Sequence, residues 1–82
     1  MSLKNWFEEK QSAWLYRVVT RAESDSRKSA LFAELADAAE SQARLWEKEL
    51  EKTGPVPPFR PSLRARLVAG LIRALGPRAV AR

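Results

Sequence analysis

Three polar residues, Glu9, Tyr16 and Gln42, fall along helix faces that are otherwise apolar. Glu9 and Tyr16 are seven residues apart, nearly two helical turns, so they project from one face with Ser12 and Ala13 between them. Further on, Ala39 and Gln42 are three residues apart and share a stripe with Phe32, Leu35 and Trp46. A carboxylate buried among neutral partners either titrates upward or recruits water or a cation, because an unpaired buried charge is costly. Cation binding is therefore the chemistry open to Glu9. The plainer alternative is hydrogen bonding alone, since the Gln42 amide offers two donors that could satisfy the carboxylate without metal. Tyr16 reads as a packing residue with its hydroxyl satisfied. The expectation is a core polar network of Glu9, Tyr16 and Gln42.

Other chemistries find no residues to carry them. The 82-residue chain has no histidine and no cysteine, and it contains neither a nucleophile elbow nor a glycine-rich phosphate loop. Without cysteine there are no disulfides, which fits a reducing compartment such as a bacterial cytoplasm. One domain of this length buries only about 60% of its unfolded surface, so helical packing or self-association must supply stability. No apolar run approaches the roughly 20 residues of a membrane-spanning helix, and no leader pattern is present, so a soluble, cytoplasmic protein is expected.

The net charge of +5 is unevenly spread. Residues 1–53 carry nine Lys or Arg against ten Asp or Glu, whereas residues 54–82 carry six arginines, no lysine and no acid. A tail of this kind points to an acidic surface: phospholipid, nucleic acid or another protein.

The elements that must position these groups are helical. From Leu3 to about Ala22 the apolar residues Leu3, Trp6, Phe7, Ala13, Trp14, Leu15, Val18 and Val19 recur mostly at helical spacing. Glu23-Ser24-Asp25-Ser26 breaks the pattern, with Asp25 or Ser26 available to cap the next helix. That second helix runs from about Ser26 to Lys52, about 40 Å at 1.5 Å per residue. Its broad stripe comprises Leu31, Phe32, Leu35, Ala38, Ala39, Gln42, Leu45, Trp46 and Glu49 or Leu50, and Gly54-Pro55 ends it. Residues 3–53 thus predict a long antiparallel hairpin. Residues 54–61 form a stiff, proline-rich linker. Residues 62–76 form a short amphipathic helix with Leu63, Leu67, Val68, Leu71, Ile72 and Leu75 on its apolar stripe and Arg60, Arg64, Arg66 and Arg73 mostly away from it. Residues 77–82 are a tail. Of the three tryptophans, Trp6 and Trp46 are expected in the core and Trp14 at the surface.

Glu9 to Tyr16, then Leu31-Phe32-Ala33-Glu34-Leu35-Ala36 and Glu40-Ser41-Gln42-Ala43, resemble the first half of a rubrerythrin or ferritin-like domain. Pro58 to Leu67 and Leu75 to Val80 resemble the segment that joins the two halves in bacterial proteins fusing a rubrerythrin-like domain to a vacuolar iron transporter family protein. In such domains a carboxylate on one helix faces a Glu-x-x-His pair on the next, and two halves enclose a pair of irons. On that pattern Glu9 matches the first carboxylate and Tyr16 the aromatic that follows it. Ala39 stands where the bridging glutamate would be and Gln42 where the histidine would be. The nearby acid, Glu40, is rotated by about 100° from Ala39.

The resulting expectation is an all-α protein whose hairpin pairs with a second copy, as a homodimer, to complete a ferritin-like four-helix bundle. The resemblance implies iron sensing or ferroxidation feeding an iron or manganese transporter, and with Ala39 and Gln42 at the ligand positions the leading expectation is a degenerate ferritin-like module in metal homeostasis with an interaction or regulatory role. Two alternatives stand against it. One is a carboxylate-only ferroxidase in which Glu9 and Glu40 of two chains bind iron, the sole cofactor in view. The other is a basic membrane-surface adaptor in which Arg60, Arg64, Arg66 and Arg73 meet an acidic membrane, placing the chain at the periphery of the inner membrane. The third helix could also simply pack on the hairpin. Nucleic acid ranks last among partners, for want of a motif or an aromatic platform.

Overall fold

A computed structural model describes residues 2–77. Residues 78–82, most of the expected tail, lie outside the described residues, as does Met1. Three helices follow in order: α1, Ser2–Ala22; α2, Ser26–Glu51; and α3, Leu63–Leu75. The expected all-α class and the helix boundaries are reproduced to within a residue or two. No helix among the described residues is long and apolar enough to cross a membrane.

The turn between α1 and α2 is built by Asp25. Its carboxylate accepts from the backbone N–H groups of Arg27 at 2.9 Å and Lys28 at 3.0 Å, which are among the donors that a helix start leaves unpaired. Ser29 reaches back across the turn, its hydroxyl donating to the Thr20 carbonyl at 2.9 Å. These contacts turn α2 antiparallel onto α1.

The α1–α2 seam is lined by small residues. Ala13 of α1 and Ala36, Ala39 and Ala43 of α2 are buried there, with Trp6 closing the far end. The indole N–H of Trp6 donates to Glu47 at 3.0 Å. Alanines at these positions let the two backbones approach closely, at the cost of a thin core. Elongation follows: the radius of gyration is 13.9 Å, against about 12 Å for a compact domain of this length.

The linker is pinned rather than free. Phe59 packs edge-on against Trp6 at 6.4 Å between ring centroids and tilted against Phe7 at 5.7 Å. The Gln11 side-chain oxygen accepts from the Ser62 backbone N–H at 3.0 Å, and the Ser62 hydroxyl caps α3 by accepting from Ala65 N–H at 3.1 Å. So anchored, α3 lays Ala65, Ala69 and Ile72 against α1, where Ala69 and Ile72 join Val18, Trp14, Leu15, Val19 and Ala22. Gly76 ends the helix at φ 88°, a conformation that favours glycine.

Two expectations are corrected here. Trp14 is half-buried, not exposed, because α3 covers its side of α1 and the Arg73 guanidinium lies 5.9 Å from its ring. The broad stripe of α2 splits in two: Phe32, Ala39 and Trp46 turn toward α1, while Leu31, Leu35, Ala38, Gln42 and Leu45 are exposed.

Candidate functional site

The split gives α2 two parallel seams. Ala36, Ala39, Ala43, Trp46 and Leu50 alternate steps of three and four and face α1. Leu31, Leu35, Ala38, Gln42 and Leu45 alternate steps of four and three, and their face is open. One residue of offset, about 100° around the helix, separates the two. A sustained four-three alternation is the spacing by which one helix presents knobs to another.

Beside the open seam, α1 contributes a polar row. Glu9, Ser12 and Tyr16 line one groove together with Leu35, Ala38, Ala39 and Gln42. Asn5, Glu8, Glu9, Ser12 and Trp46 line its neighbour toward the start of α1. The three residues of the expected polar network therefore do share a groove. They do not bond to one another within the chain: Gln42 is exposed, Glu9 and Tyr16 are half-buried, and Tyr16 instead stacks at a tilt on Phe32 at 6.3 Å. Glu9 makes no hydrogen bond or ion pair with the described residues.

Glu40 has a different environment. Arg17 reaches across the other side of the seam and donates to Asp37 at 2.6 Å and to Glu40 at 2.8 Å from its terminal nitrogen and 3.0 Å from Nε. These contacts raise the guanidinium's pKa above its ordinary value, the hydrogen bond to Asp37 first and that to Glu40 second. Glu40 lines a groove with Lys10, Ala13, Trp14, Arg17 and Phe59, not the groove of Glu9. The structure thus does not bring Glu9 and Glu40 together in one chain. Among the described residues no group of three or more acidic side chains could hold a metal ion. Arg17 does not stand out in the sequence by type alone; the signal for it is that Lys10 and Arg17, seven apart, form a basic row on α1 opposite Asp37 and Glu40, three apart on α2.

No family, no curated protein and no solved structure matches this chain. Its surfaces are therefore the ground for any functional reading.

The arginines named as membrane or partner contacts are on the outside. Arg60, Arg64, Arg66 and Arg73 are exposed, and none forms an ion pair with a carboxylate of the described residues. Arg60, with Lys4, also lines an apolar cleft of ≈ 700 Å³ formed by Leu3, Trp6, Phe7, Pro57 and Pro58. The apolar spacing of α3 places its leucines on one stripe with Val68 and Ile72, yet only the latter two turn inward. Leu63, Leu67, Leu71 and Leu75 all face solvent.

Proposed function

We propose that the chain is a self-pairing helical module: the open α1–α2 face of one copy meets that of a second and completes a four-helix bundle. The observation that carries this is the exposed four-three seam of Leu31, Leu35, Ala38, Gln42 and Leu45 beside the polar row of Glu9, Ser12 and Tyr16. An isologous pairing covers these leucines and encloses two copies of Glu9, Tyr16 and Gln42, polar groups able to fix register between helices. On the ferritin-like resemblance, the dimer is a degenerate ferritin-like module with an interaction or regulatory role in metal homeostasis, linked to an iron or manganese transporter.

The carboxylate-only ferroxidase is the weaker reading, because Glu40 is held by Arg17 in another groove and Glu9 alone faces the pairing surface. Light scattering on the full chain tests the pairing, with twice the monomer mass expected. Leu35→Glu with Leu45→Glu removes apolar burial at the seam and is expected to raise the dissociation constant at least about tenfold. A wild-type monomer at high concentration overturns the proposal. Titration with ferrous iron separates the two readings: stoichiometric metal, lost in Glu9→Ala, favours the ferroxidase, and a folded dimer that takes up none favours the interaction module.

A further inference from the structure

We propose that α3 lies in the plane of an anionic phospholipid surface, with its leucines in the boundary between headgroups and acyl chains and its arginines on the lipid phosphates. The helix has two apolar faces and uses only the smaller one inside the molecule. Ala65, Ala69 and Ile72 are buried against α1, whereas Leu63, Leu67, Leu71 and Leu75 are 72%, 63%, 49% and 66% exposed.

Their spacing distinguishes a broad surface from a partner helix. A step of four residues overshoots one helical turn by about 40°, so the four leucines fan over about 120° instead of forming a narrow line. The open seam of α2, stepping four and three, stays in line and suits a helix; the fan on α3 suits a plane.

Charge selects the plane. By helical geometry Arg64 lies within the fan, between Leu71 and Leu75, and Arg66 lies about 60° beyond Leu63 on the other side, while Arg73 is turned toward Trp14 of α1. Arg60 stands three residues before the first residue of the helix. Nothing from residue 54 onward is acidic, so a second copy docked symmetrically on this stripe would set arginines against arginines. Lipid phosphates offer the opposite sign, and guanidinium groups bind them in a fork geometry while their aliphatic stems lie along the apolar boundary. This is the pattern of helices that lie on a membrane without crossing it.

The test is co-sedimentation of the full chain with phosphatidylcholine vesicles, with and without phosphatidylglycerol, alongside circular dichroism to verify folding. Binding to the anionic vesicles is expected to exceed binding to neutral ones at least about tenfold, and to weaken as salt rises from about 0.1 to about 0.5 M. Arg64→Glu with Arg66→Glu, and separately Leu67→Gln with Leu71→Gln, should each lower affinity about tenfold or more at unchanged helicity. If the second pair unfolds the helix, Leu63→Gln with Leu75→Gln tests the same stripe at its most exposed positions. A folded wild-type chain that ignores anionic vesicles, or variants that bind as well as wild type, overturns the proposal. So does a leucine variant whose only effect is a fall in oligomer mass, which would assign the stripe to a second copy. Leu35→Glu with Leu45→Glu probes the other face, so self-pairing and lipid binding can fail separately.

Discussion

Trp6 is the residue on which most of the molecule converges. Its ring meets Phe59 of the linker, its N–H donates to Glu47 of α2, and it is buried in a core that otherwise holds mainly alanine. Trp6→Ala is expected to cost about 3–5 kcal/mol, enough to unfold a domain with so thin a core. Trp6→Phe keeps one aromatic ring but loses the hydrogen bond and part of the buried volume, costing about 1–3 kcal/mol in urea denaturation. Arg17 behaves differently, being partly exposed and paired with two carboxylates. Because folding raises its pKa, its contribution is present through the neutral range and on the alkaline side fades only when the guanidinium deprotonates, far above neutral pH. Salt is the more useful probe: Arg17→Gln should lower the melting temperature, and the difference from wild type should shrink in about 1 M NaCl, where the screening length is about 3 Å. Glu9 was legible in the sequence as a residue facing a groove, because spacing dictates a shared face. That its neighbours would leave it without a bond was not, since Tyr16 turns to Phe32 and Gln42 to solvent.

At the scale of elements, the starts of α2 and α3 are each set by a side chain that the sequence displays openly, Asp25 and Ser62. Asp25→Ala removes the acceptor for two backbone N–H groups and is expected to destabilise the fold by about 0.5–2 kcal/mol, measured by chemical denaturation. Breakers, caps and prolines act locally, so the helices and the linker were readable from composition and spacing. Which face of each helix would be used was not. On α2, residues one position apart belong to different seams, and a count of apolar positions merges them into one stripe. On α3, the large leucines looked like the packing face, yet the small residues Ala65 and Ala69 pack on α1. The short tether through Phe59 and the Gln11–Ser62 contact sets that rotation. Ala69→Leu is therefore expected to push α3 from α1, costing about 1–3 kcal/mol and freeing Trp14 from Arg73, which its fluorescence would report.

The whole molecule is arranged with its large apolar side chains outward. Eight of its ten leucines are exposed, whereas six of the nine buried core residues are alanine. Leu3 aside, the exposed leucines form one set along α2 and another along α3, and covering either removes apolar surface from water and adds stability. If α2 pairs with a second copy, the melting temperature rises with protein concentration, as mass action requires. Leu35→Glu with Leu45→Glu should remove that dependence in calorimetry without changing the helix content of the monomer.

The helices, their order and the polarity of the basic third segment belong to the amino-acid order alone, because hydrogen-bonding caps, prolines and apolar periodicity act over a few residues. Rotation about each helix axis was settled at a longer range, where Trp6, Phe59 and Arg17 bridge residues far apart in the chain. Those contacts put alanines inside and leucines outside, since backbones that approach closely leave no room for larger side chains between them.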